Sequence, residues 1–190
     1  MRVLGLDPAG KKFGIAGVEM DNSGNINLYT DFLLESPSHF NRDQRLRYMS
    51  HNVAAIVALD RPDFIVSENP WGVGWSAQSL KEQIGGIKAE LWIDITWQGV
   101  SEARRSVLGD GYGGAKKRET AEWLMQYPWT RSSKNRLKEL FDKASLDTDD
   151  GYDELDAILH CLCFLISNKG LSPVIKPEKE KKRGSKGKKT

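Results

Sequence analysis

The chain has 190 residues, 39% of them hydrophobic, and a net charge of +2. This suits one domain with one sizeable core. No run of about 18 apolar residues is present to span a membrane. The opening Met1-Arg2-Val3-Leu4-Gly5-Leu6-Asp7 is too short an apolar run for a secretory signal, so a cytoplasmic protein is expected.

Residues 2–7 read as a short buried strand and residues 13–20 as a second, after a Gly/Lys turn. Asp21-Asn22-Ser23-Gly24-Asn25 is a hairpin signal leading to a third strand over 26–34. Three strands with tight turns make an antiparallel meander. Leu46, Met49, Val53, Ile56 and Val57 then fall at helical spacing, with Asn41 as N-cap and Arg61-Pro62-Asp63 as the end. Residues 64–66 are a short buried strand that stops at Ser67-Glu68-Asn69-Pro70. A Gly/Trp-rich loop follows, then a helix over 79–90, in which Gly85-Gly86 suggests close packing on the sheet. Residues 91–97 make a fifth strand. A polar linker holding Gly109, Gly111, Gly113 and Gly114 leads to helices near 115–127 and 134–144, and a last helix spans about 151–168. The expected class is α/β, a mixed five-stranded sheet flanked by helices.

Cys161 and Cys163 lie two apart in an apolar stretch and have no matching ligand pair, so they read as buried free thiols. Residues 176–190 carry eight Lys or Arg and two Glu, or +6, which leaves about −4 (+2 minus +6) for the rest. The domain is therefore placed at 1–170. The basic end, 171–190, reads as a disordered tail, either solubilising or binding phosphates.

Four carboxylates carry the candidate chemistry. Asp7 ends the first strand and Glu68 lies just past the fourth. Neighbouring parallel strands bring such ends to one edge, where ligand sites form. Asp153 and Asp156 lie three apart and share a helix face, beside an apolar stripe of Leu155, Ile158, Leu159, Leu162 and Ile166. If that stripe docks on the sheet, all four acids meet. Their repulsion is relieved by divalent cations, and hard oxygen ligands suit Mg²⁺ or Mn²⁺. Two such ions about 4 Å apart clamp a phosphodiester. Each acid also has an ordinary reading: a turn starter for Asp7, an exposed loop residue for Glu68, helix capping for the aspartates.

In order along the chain stand Asp7-Pro8-Ala9-Gly10 with Gly14, Val66-Ser67-Glu68-Asn69-Pro70-Trp71, Ser106-Val107-Leu108-Gly109 and Asp153-Glu154-Leu155-Asp156-Ala157. This series resembles the successive signatures of the RuvC-type Holliday junction resolvases across residues 1 to about 168. The resemblance implies a ribonuclease-H-like fold and a homodimer that nicks DNA four-way junctions, leaving 5′-phosphate ends. It implies two Mg²⁺ per site, replaceable by Mn²⁺, on Asp7, Glu68, Asp153 and Asp156. The family usually has Gly where this chain has Ala9, and Gln where it has Asn69, which bears on substrate preference more than on chemistry.

Trp71 matches the aromatic that in the family stacks on an unpaired base near the junction centre. Packing against a helix or partner is its ordinary alternative, and equally that of Trp75. Arg104, Arg105, Lys116 and Lys117 flank the Gly-rich segment; Arg104 and the lysine pair resemble the basic residues that hold the scissile strand. Lys11 and Lys12 are further candidates. Trp92, Trp97, Trp123 and Trp129 read as core or core edge, and His160 as a hydrogen-bonded residue at the core edge. A relative acting on flaps, forks or RNA, a non-catalytic nucleic-acid-binding module and an actin-like ATPase are the competing readings. A phage or bacterial host is expected.

Overall fold

The five expected strands form one sheet in the order β3-β2-β1-β4-β5. In this computed structural model, residues 1–9, 11–69, 75–91, 94–144 and 151–174 are described, without the side chains of residues 75–77, 79 and 80. β1 (Arg2–Ala9), β2 (Lys12–Met20) and β3 (Ile26–Glu35) are the antiparallel meander. β4 (Phe64–Glu68) joins β1 in parallel, and β5 (Ile95–Gln98) joins β4 in parallel. β4 runs two residues further than expected, so Glu68 is its last residue rather than the residue beyond it. β1 likewise continues past Asp7, with Pro8 paired to Phe13 of β2. The β4 ladder has already ended, at Leu6–Ser67, so no β4 partner needs the N–H that proline lacks.

Side chains alternate across the strands. Leu4, Leu6, Phe13, Ile15, Ile65 and Ile95 point to one face, where they bury Met49, Val53 and Val57 of α1 (Arg42–Asp60) and Ile84 and Ile87 of α2 (Trp75–Leu91). α1 starts where expected: Asn41 and Gln44 form a reciprocal capping box. α2 begins four residues before the expected start and takes in Leu91, which shortens β5. Gly86 packs against α1 and not the sheet, since an added Cβ would lie 2.6 Å from the Ser50 hydroxyl.

The opposite face of the sheet carries Val3, Gly5, Asp7, Val66 and Glu68, and on it lies α6 (Asp153–Lys169). Leu155 and residues 157–165 of α6 are buried, with Asp156 half-buried between them. A helix buried all round needs cover on every side, and α3 (Val100–Leu108), α4 (Lys117–Leu124) and α5 (Arg131–Lys143) supply it. α3 is an additional helix within the expected polar linker. Its Ala103, Val107 and Leu108 are buried at helical spacing. A 3₁₀ turn over Asp110–Tyr112 connects it onward.

α6 does not dock on the sheet through the Leu/Ile stripe. Its sheet-facing line is Asp153, Ala157 and Cys161, at intervals of four. A Cβ on Gly5 would lie 2.1 Å from the Ala157 carbonyl oxygen and 2.8 Å from Cys161 Sγ. A Cβ on Gly14 would lie 2.1 Å from the Asp153 carbonyl oxygen. Two strand glycines thus let the helix backbone rest directly on the sheet. Cys161 and Cys163 are buried free thiols, as expected. Trp129 is buried and Trp123 half-buried, whereas Trp97 is 40% exposed, against expectation: β5 is an edge strand and Trp97 projects from it. Residues 175–190 lie outside the described set. Leu171 is in the core, and Val174 accepts a hydrogen bond from Trp123 Nε1 and donates one to the Tyr127 hydroxyl. No helix among the described residues is long and apolar enough to cross a membrane.

Candidate active site

The register of the sheet puts the site together. Leu6 pairs with Ser67, so Asp7 and Glu68 come side by side at the next position, and Glu68 in turn pairs with Gln98 of β5. Asp7 also pairs with Gly14 on its other side, where α6 rests on the strand. Asp156 lies one turn along α6 from Asp153, and His160 a further turn along. All share the α6 face of the sheet.

Asp7 is 5% exposed, and its carboxyl is hydrogen-bonded to that of Glu68. The Asp7 pKa accordingly stands well above the ordinary carboxylate range, first through burial, then through the nearby Asp156 and the bond to Glu68. Burial also raises Asp156, while Lys117 and Arg104 pull it back. Lys117 Nζ is 2.8 Å from Asp156 Oδ2. Its pKa lies above the lysine norm: burial works against its charge, and Asp156, Asp7 and Asp153 outweigh burial. Asp153 is half-buried at the first position of α6, close enough to act on both Lys117 and Asp156.

His160 is 1% exposed and sits beside the acids. One ligand atom from each of Asp7, Glu68 and His160 lies within 4.8 Å of the other two. Its pKa is lowered to about 4, by burial and then by Arg104, so the ring is neutral at physiological pH. Its Nδ1 lies 3.1 Å from the Gln98 side-chain amide. The helical spacing from Asp156 put His160 on the right face, but nothing in the sequence brought Gln98 to it. That follows only from the parallel register of β5.

The basic candidates separate. Lys117 turns in to the acids. Arg104 of α3 is half-buried and acts electrostatically on both Asp156 and His160, and its Nε is buried with no hydrogen-bond partner among the described residues. Arg105 and Lys116 are exposed, as are the neighbouring Gly111 and Gly114. Lys11 is exposed and Lys12 half-buried in the β1–β2 turn. Trp71 lies outside the described residues, and Trp75 opens α2 with its side chain outside them.

A divalent cation fits this donor set. A cation would relieve the crowding that raises the Asp7 pKa, and close-set buried carboxylates with a neutral imidazole are metal-ligand chemistry. No family model matches the chain, and no curated protein does. Solved structures do. Thermus thermophilus RuvC is similar at 16% identity, over 88% of this chain and 96% of that one, with a TM-score of 0.65. T. thermophilus RuvC in complex with Holliday junction substrate is similar at 15% identity, over 91% and 98%, with a TM-score of 0.66. Fowlpox virus resolvase in complex with its substrate Holliday junction DNA follows at 16% identity, over 85% and 99%, with a TM-score of 0.52. The fold is that of the resolvases. The ribonuclease-H-like architecture expected from the ordered motifs is the one observed, and its match extends over nearly the whole length of each neighbour.

Proposed function

We propose that this chain is a divalent-metal-dependent endodeoxyribonuclease that resolves DNA four-way junctions. The observation that carries the reading is the gathering of Asp7, Glu68 and Asp156, with Asp153 beside them, on one face of this fold, close enough that the neighbouring acids raise the pKa of Asp7. Asp7, Glu68, Asp153 and Asp156 would hold two Mg²⁺ ions, which Mn²⁺ can replace. Bound there, the ions supply an activated water and charge stabilisation at the leaving oxygen, giving 5′-phosphate and 3′-hydroxyl ends.

The chain's own groups do the rest. Asp7, whose pKa is raised by burial and the neighbouring acids, would give up its proton to a bound cation. Lys117 offsets the charge of Asp156. Arg104 carries a buried N–H with no acceptor among the described residues, which suits a phosphate oxygen. Arg105 and Lys116 add exposed cations that hold backbone without reading sequence. Trp71, three residues after Glu68, is proposed to stack on a splayed base, a contact worth roughly 1–3 kcal/mol. The junction is taken as substrate because two of the similar structures carry junction DNA. Two symmetric nicks call for a homodimer, and a cytoplasmic location goes with the reading.

The test is a labelled four-way junction, a matched linear duplex and a flap, each with Mg²⁺ or EDTA, beside Asp7→Asn and Glu68→Gln. Paired nicks in the junction alone, lost with EDTA and in both variants, are expected. Metal-dependent cutting of the flap alone would replace the substrate, and tight junction binding without cutting would leave a binding module.

A further inference from the structure

We propose that His160 is a direct ligand of the cation held by Asp7 and Glu68, with Gln98 selecting the ring nitrogen that faces it. The inference rests on the metal-dependent reading above and adds to it a nitrogen donor outside the four-carboxylate set.

Atoms bound to one ion at roughly 2.1 Å lie no more than about 4.2 Å apart. The three donors already lie within 4.8 Å, so a small closure seats an ion. His160 is buried, and among the described residues its only side-chain hydrogen bond runs through Nδ1, to Gln98. Nε2 is therefore left without a partner among the described residues. The Gln98 amide has two orientations. With nitrogen toward the ring it donates to Nδ1 and to the His160 carbonyl, and its oxygen accepts from the Phe164 N–H. That arrangement places the ring proton on Nε2. With oxygen toward the ring, it accepts from Nδ1–H and leaves the Nε2 lone pair free, at the cost of the bonds to the His160 carbonyl and from the Phe164 N–H, which metal binding has to outweigh. A cation on Nε2 selects the second. Ligating histidines characteristically donate their other N–H to an oxygen in this way. Gln98 is placed to do so by its pairing with Glu68 across the parallel strands and by the 2.8 Å bond from Asn69 N–H to its carbonyl.

An imidazole nitrogen is a softer donor than a carboxylate oxygen, so this ligand favours Mn²⁺ over Mg²⁺. The chain has three histidines, His39, His51 and His160, which makes the assignment tractable. The experiment is pulsed electron paramagnetic resonance of Mn²⁺ on the full-length wild type, on His160→Gln and on the double variant His39→Gln/His51→Gln, with calorimetric affinities for Mn²⁺ and Mg²⁺. A directly bonded ¹⁴N coupling is expected in the wild type and the double variant and absent in His160→Gln. Mn²⁺ affinity should fall 10-fold or more in His160→Gln while Mg²⁺ affinity changes by less than 3-fold. Should His160→Gln fail to fold, the double variant still decides. Mn²⁺ bound without a nitrogen coupling would overturn the ligand assignment and leave the nuclease reading standing. No Mn²⁺ binding at all would overturn both.

Discussion

The two faces of the sheet are built from the same five strands to opposite ends. Toward α1 and α2, the strands present Leu4, Leu6, Phe13, Ile15, Ile65 and Ile95, an apolar core. Toward α6, the same strands present Gly5, Asp7, Gly14, Glu68 and Gln98. In β1 the switch occurs between adjacent residues, Leu6 to one side and Asp7 to the other. One face contributes burial, and that stability allows the other to hold buried carboxyls in mutual repulsion. Glycines, not large side chains, bring α6 close enough to do so.

Substitutions on the two faces should therefore fail differently. Leu6→Ala removes a fully buried side chain and should cost about 2–5 kcal/mol in chemical denaturation. The cleavage rate per folded molecule should stay within about two-fold, because nothing in the site moves. Gly14→Ala forces a Cβ against the Asp153 carbonyl and must push the start of α6 outward. A shift of about 1 Å at reacting groups costs on the order of 100-fold in rate, so cleavage should collapse while the fold survives. Junction cleavage normalised to folded protein separates the two. Equal rate losses in both variants would end the division of labour.

How much of this was legible depends on what each element had to signal. β1 to β3 and α1 announced themselves through turns, a cap and periodicity, which are local. The acids were legible because they stand at strand ends or at a helix start. α3 was hidden: Arg104, Arg105 and Ser106 interrupt its apolar pattern, since Arg105 faces water and the half-buried Arg104 serves the site rather than the core. The contact line of α6 was hidden for a different reason. Hydrophobicity points to its Leu/Ile stripe, but the sheet is met by Asp153, Ala157 and Cys161, whose merit is smallness. His160 lay on the expected face, yet its nearness to Glu68 needed β5 beside β4, a long-range fact that no local spacing carries.

The chemical face should also show itself in pH. His160 has its pKa lowered from 6.5 to about 4 in the folded protein. Below pH 6.5 the unfolded chain takes up a proton that the folded chain refuses until about pH 4, so this group costs stability as pH falls through that window. Histidine 160 replaced by glutamine (His160→Gln) should therefore gain on the wild type between pH 6.5 and 4, by a few kcal/mol at the acid end. Denaturation midpoints in EDTA give the difference. Leu6→Ala supplies the control, since its deficit is independent of pH. A His160→Gln curve parallel to the wild type would show that the imidazole is no more buried than a surface histidine.

Asp7 has the opposite sign. Its folded pKa is raised above 3.8, so as pH rises the folded chain holds a proton that the unfolded chain has lost, and stability declines. Asp7→Asn removes that decline. In EDTA near neutral pH the variant should be more stable by about 1–2 kcal/mol, or roughly 2–4 °C per kcal/mol in a chain of this size. With saturating Mn²⁺ the order should reverse, because the wild type gains binding free energy that the variant lacks. The reversal is the informative part. A core defect such as Leu6→Ala lowers the melting temperature in both conditions, and only a residue whose charge is a burden until a cation arrives can change sign between them. If Asp7→Asn melts below the wild type in EDTA, Asp7 is a structural acid with its charge already satisfied, and the chemical face loses its central member.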